Sequence, residues 1–479
     1  MSTTFQPVYN TSKTLLKITT ISLSIIILSN LSCIKPTHEG WRQAHEIEKQ
    51  ILLPEFRNRN YDITEFGAVG DSTTNCHKAF VNAIRKCNSE GGGKIIVPKG
   101  IFLVNGPIHL KSNVHLHIAA GAIIKFSGVP EHFLPIVLTR WEGTELYNYS
   151  PMIYAYQATN IAITGKGVID GNAKINFAHW KPQQTPAQIK LRQMGNDGIP
   201  VHERVFGTGY WLRPSMIQPF GCKNVLIDGV TIIDSPFWVI HPTFCINVTV
   251  RNIHVESWNP NNDGCDPDAS VNVLIENCVF NTGDDAIAIK SGRDQDGWRI
   301  GQGAENIVIR NCDMKSKANG LCIGSEMSGG VRNIYMEDCR LDEAGNAVYF
   351  KSNLDRGGVI ENVWVRNINV NRALSALIRF ETNYKGHRGN QYPPLFSRFH
   401  LESIACQIAD QYGIFAAGHA QAHLQDIFLN DITIGSAKTP LFLKYADNFN
   451  TNHVIINGEP LPAVPEMIND EVTEINLSW

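Results

Sequence analysis

Two aspartates stand side by side in the stretch NTGDDAIAIKSG, Asn281 to Gly292, as Asp284 and Asp285. Clustered carboxylates push their pKa values apart, so one can hold a proton while another stays ionised. Hydrolysis of a glycosidic bond needs that pair of states: an acid protonates the leaving oxygen and a carboxylate base activates water. Upstream, SWNPNNDGCDPDAS holds Asn261, Asp263, Asp266 and Asp268. Downstream, SKANGLCIGSEMSGG holds Asn319, Ser325 and Glu326, and AVYFKSNLDRGG holds Tyr349, Lys351 and Arg356. If these stretches fall on successive coils, Asp263, Asp284 and Asp285 form one cluster of three carboxylates flanked by Lys290 and Lys351. Aspartate beside glycine is also common in turns, so Asp266 and Asp268 are taken as turn formers or secondary supports. A calcium site is the rival reading of the cluster, and the two lysines argue against it. No metal or organic cofactor is expected. A separation of about 6.5–9.5 Å between acid and base leaves room for a water and gives inversion. Adjacent aspartates cannot span it, whereas a third carboxylate on the next coil can.

The scaffold that would align these stretches is written as a repeat. An asparagine, an alternating apolar strand, a polar step and a second short strand recur as NVLIDGVTI, NVTVRNIHV, NVLIENCVF, NIVIRNCDM, NIYMEDCRL and NVWVRNINV, from Asn224 to Asn362. Their starts are separated by about 23 to 34 residues, a repeat-architecture period. Period-2 alternation means strand, and no segment between units is long enough for a crossover helix. The pattern implies an all-β protein, a single-stranded right-handed parallel β-helix. The seventh residues of the units, Val230, Ile253, Cys278, Cys312, Cys339 and Ile368, should form one inward column, which makes the cysteines core residues. The initial asparagines should form a ladder at a turn. An amphipathic helix near Asn75 to Cys87 is expected to cap the open end.

The chain has 479 residues with net charge −3, which gives no electrostatic reason to bind nucleic acid. Residues 1–33 have the pattern of an export signal: Lys13 and Lys17 precede an apolar run ending at Cys33. NLSC resembles a loose lipoprotein signal, so a lipid anchor at Cys33 is expected, in the periplasm or on the outer membrane of a bacterium, with plain secretion as the alternative. Residues 34–57 form a lead-in segment and 58–479 a single β-helix domain, a monomer.

FGAVGDS, SPFWVIHP, NNDGCDP, NTGDDAIAIKSG, IGSEMSGGVRNI and KSNLDRGGVIENVWVRNI, in this order, resemble glycoside hydrolase family 28, the polygalacturonases and related pectin hydrolases. The resemblance implies inverting hydrolysis of α-linked galacturonic acid in a pectic polysaccharide or oligosaccharide. It places the general acid at Asp284 and the water-activating pair at Asp285 and Asp263. Lys351 matches a lysine that contacts a substrate carboxylate. Two positions depart from the family pattern: Asn319 replaces a histidine and Tyr349 an arginine. The loss of a bidentate cation suggests an altered substrate, such as rhamnogalacturonan, a substituted galacturonan or a chain end. Lys290, Glu326, Asn261 and Tyr384 are further candidates for substrate contact. His241 is taken as a packed histidine. Insertions at 173–210 and 384–397 could wall off one end of a cleft and favour exo attack. A polysaccharide lyase and a non-catalytic pectin-binding β-helix are the competing functions.

Overall fold

Asparagine explains the regularity of the coils. Asn160, Asn224, Asn247, Asn272, Asn306, Asn333 and Asn362 all sit in the left-handed region, with φ between 55° and 59°. Asparagine tolerates this conformation better than most side chains. Each side-chain amide donates to the asparagine one coil earlier, at 2.7–3.3 Å, beginning with Asn160 to Asn113. The expected ladder is therefore present and turns the chain at the same corner of every coil.

The computed structural model describes residues 36–385 and 389–468. Contacts divide the chain after Gln43, within the helix Pro36–Gln50, and the unit from Ala44 onward carries the strands. One coil consists of Val271–Glu276, Val279–Thr282 and Ile287–Ile289, paired in parallel with Ala304–Arg310, Asp313–Ser316 and Asn319–Ile323 of the next. Later coils run as long bent strands, Val331–Lys351, Val359–Glu381, Leu395–Ala417 and Leu424–Lys444. This is a parallel β-helix. The column Val230, Ile253, Cys278, Cys312, Cys339 and Ile368 is buried throughout, and the ten described cysteines are free and buried. The thiols are packing groups.

The helix His77–Ser89 buries Ala79, Phe80, Ala83, Ile84 and Cys87 in the core shared with the first strands. It starts two residues later than the apolar pattern indicates, because Asp71–Asn75 is a strand. The 173–210 insertion contains a helix, Thr185–Asn196. Its Ala187 and Leu191 pack with Trp141, Leu146, Phe206, Leu212, Phe237 and Trp238 in a second core. That core holds the insertion against the face where the chemistry-bearing residues lie. The export signal and Cys33 fall outside the described residues.

Candidate active site

Coil stacking brings the aspartates together. The Gly264 amide donates to the Asp285 carbonyl at 2.9 Å and the Ala286 amide to the Asn319 carbonyl at 2.7 Å, so 264, 285–286 and 319 lie on consecutive coils. Glycine beside each aspartate permits this approach. A Cβ on Gly264 would lie 2.5 Å from the Ala286 carbonyl oxygen, and one on Gly283 would lie 2.4 Å from that of Asn259. Asp263, Asp284 and Asp285 then offer one oxygen each within 4.8 Å of one another. The wide gap anticipated from the sequence is absent among these nearest oxygens. The three groups form one close cluster, in which two carboxylates can hold a water beside the third.

Their surroundings divide the roles. Asp284 is half-buried and faces the cavity. Burial, and next the charge of Asp285, pushes its carboxyl up to about 6, where it holds a proton under mildly acidic conditions. Asn261 donates to its Oδ2 at 3.3 Å, and is itself held by Arg213 at 2.7 Å and Lys181 at 2.6 Å. Asp285 is buried and accepts from Asn319 at Oδ1 and from Lys351, 3.5 Å away, at Oδ2. Asp284 likewise has a donor on each oxygen, Asn261 at Oδ2 and the Asp285 amide at Oδ1, 3.0 Å away, so what distinguishes Asp285 is the Lys351 ammonium beside it. Asn319, where a histidine was expected, accepts in turn from Asn346 at 2.8 Å. Asp263 is buried, 4.0 Å from Lys290, and burial followed by the charges of Asp266 and Asp284 pushes it well up.

Of the two expectations for Asp266 and Asp268, turn formers or secondary supports, their burial fits the second. Asp268 is fully buried in an ion pair with Arg140 at 3.0 Å and faces His241 at 3.4 Å. His241 also meets Ser215 and Gln218, which fits the packed role expected of it. Neither oxygen of the fully buried Asp266 has a hydrogen-bond partner among the described residues. Burial pushes its carboxyl well up from the usual carboxylate range.

Two cavities meet at Asp284. The first, about 570 Å³, contains all three aspartates together with Lys290, Glu326, Lys351 and Tyr384. Lys181, Gln188, Ile189 and Arg192 of the 173–210 insertion and Lys385 of the second insertion also line it, so both insertions border the cleft. Glu326 lies 3.4 Å from Lys290 and 3.5 Å from both Arg293 and Arg356. Burial opposes its charge, and these three cations overcome that and pull its carboxyl below the usual range. The second cavity, about 400 Å³, shares Asp284, Lys351, Tyr384 and Lys385 and adds Asn319, Tyr349 and Arg379. Tyr349 donates to Glu381. Sequence reasoning missed Arg379, Trp238 and the Arg213–Asn261 contact. Arg379 pairs directly with Tyr349 on the neighbouring strand, after a register shift between Ala344 and Asn346 that the repeat does not announce.

Clustered carboxylates in a cation-lined cleft on a parallel β-helix form a site suited to acid–base chemistry on an acidic sugar. The chain belongs to glycosyl hydrolases family 28, whose model matches residues 207–451; residues 60–206 match a rhamnogalacturonase A/epimerase, pectate lyase-like model. It is similar to a hyperthermoactive exopolygalacturonase from Thermotoga maritima, with 40% identity, 88% of this chain and 96% of that one covered, and a TM-score of 0.83. A probable polygalacturonase of Vitis vinifera is 28% identical over 71% of this chain and 66% of its own length. An exo-poly-alpha-D-galacturonosidase of Dickeya chrysanthemi is 26% identical over 72% of this chain and 62% of its own. The chain thus spans somewhat less than two thirds of the length of these two curated relatives. The right-handed coil anticipated from the sequence agrees with these neighbours.

Proposed function

We propose that this protein is an exo-acting hydrolase of galacturonan, releasing the terminal galacturonate from the non-reducing end by an inverting mechanism. One observation carries the reading: the cavity that holds acid and base together is bordered at one side by the helix Thr185–Asn196 and lined by cations. The ring attacked by water must sit where Asp263, Asp284 and Asp285 converge. The leaving group lies across Asp284, in the cavity that shares only that aspartate. Asp284 protonates the glycosidic oxygen, and Asp285 takes a proton from water positioned with Asp263; inversion then follows from single displacement by that water, held between the paired carboxylates, and not from a wide acid–base gap. Lys181, Arg192, Lys290 and Lys351 offset the carboxylate charge of a uronate and the acidic cluster around it. The exo-acting names of two relatives support the same end-on mode. Residues 1–33 would export the enzyme to its polymer substrate.

Product analysis by mass spectrometry with a reducing-end assay tests the proposal on polygalacturonate, rhamnogalacturonan and their oligosaccharides. Saturated monogalacturonate as the first product, with the β anomer seen first by NMR, is expected. Larger oligomers at early times would refute exo attack, unsaturated products would make the protein a lyase, and retention of the α anomer would refute inversion. Release from rhamnogalacturonan alone would move the substrate.

A further inference from the structure

Tyr349 stands where the cleft would otherwise present an arginine, yet the second cavity is not short of one. Arg379 lies one coil further on, in direct register with Tyr349. Its guanidinium is held between two rings, 5.2 Å from the Tyr349 centroid and 4.4 Å from that of Phe415. Phe415 is backed in turn by Phe442, stacked at 4.7 Å and 10°. A guanidinium clamped between rings keeps its in-plane N–H donors in a fixed orientation. Nε and Nη2 donate to Glu381 Oε2 at 3.3 and 3.1 Å, and Nη1 donates to Ser375 Oγ at 3.3 Å. The fork carries more donors than these contacts use, and one remains on each terminal nitrogen. Glu381 is occupied on the same oxygen by Tyr349, so the tyrosine secures the carboxylate that orients Arg379.

Resting on the hydrolase reading above, we infer that Arg379 binds the carboxylate of the leaving uronate, one coil away from where a clamp was sought, and that Tyr349 and Glu381 position it. The placement follows from the two cavities. Arg379 lines the cavity across Asp284 from the base and is absent from the one where the attacked ring sits. It therefore discriminates by leaving group alone.

The test compares two substrates, trigalacturonate and an aryl α-galacturonide whose leaving phenol has no carboxylate. For Arg379→Gln, kcat/KM on trigalacturonate should fall about 10- to 150-fold, the size of a lost charge-assisted hydrogen bond. On the aryl substrate it should change less than about threefold, which also reports an intact acid and base. Arg379→Lys, which keeps the charge inside the stack, should show the same selectivity with a smaller loss, and it decides the matter if the glutamine variant does not fold. Equal losses on both substrates, or no loss on trigalacturonate, would overturn the assignment while leaving the hydrolase reading standing. A wild-type enzyme inactive on both would overturn the two together.

Discussion

Asp284 must carry a proton to act as the acid, so its raised pKa has a kinetic consequence. Held up to about 6 by burial and by Asp285, it is protonated below that pH and ionised above it. The expected kcat therefore falls as pH rises through about 6, tending to tenfold per unit, and a pH profile on trigalacturonate measures it. Asp284→Asn should lower kcat about 10²- to 10⁴-fold with the melting temperature preserved; full activity in that variant would remove the residue from the mechanism. Asn319 acts on the base side. Asn319→Ala strips one donor from Asp285, and a charge-assisted bond is worth about 1.5–3 kcal/mol, so kcat should drop roughly 10- to 150-fold. Asn346→Leu, one step removed, should give a smaller drop, and a larger one would mean that Asn346 acts by another route.

At the scale of the element, each ladder asparagine does two things: it adopts a positive φ and bridges coils. Asn306 accepts from Asn333 at 2.9 Å and donates to Asn272 at 3.1 Å, with φ 59°. Asn306→Ala loses both bonds and strains the turn, for a cost of about 2–3 kcal/mol. Asn306→Gly loses the same bonds without the strain. Thermal melting should therefore place the alanine variant below the glycine variant; the reverse order would show that φ contributes nothing. Glu326 supports the loop between two strands. Glu326→Gln removes the carboxylate shared by Lys290, Arg293 and Arg356, each of which keeps a second one in Asp263, Glu142 and Asp294, so the cost is about 1.5–3 kcal/mol, that of a charge-assisted hydrogen bond. Circular dichroism melts of that variant should show a lower transition temperature than wild type.

At the scale of the whole molecule, the proposed membrane attachment rests on the chain's first 33 residues, outside the described part. No helix among the described residues is long and apolar enough to cross a membrane. If Cys33 carries lipid, Cys33→Ala should move the protein from the membrane fraction to the soluble fraction on cell fractionation; equal partitioning of both forms would refute the anchor. The parallel β-helix, its asparagine ladder and the assembly of Asp263, Asp284 and Asp285 were legible in the sequence by itself. A repeat states its own register, and residues one coil apart stack because neighbouring strands lie about 4.8 Å apart. Side-chain partners across irregular loops were not legible, since no period governs them. The stretch DGCDPDA left Asp266 and Asp268 open as turn formers or secondary supports, and only the coil, which buries both, decided for supports. The helix Thr185–Asn196 became one border of the first cavity only through its second core, built from residues between Trp141 and Trp238. Tertiary structure alone supplied Arg379 in front of Tyr349, because coils of unequal length set which side chains meet across the sheet, and that is decided by packing around the whole coil.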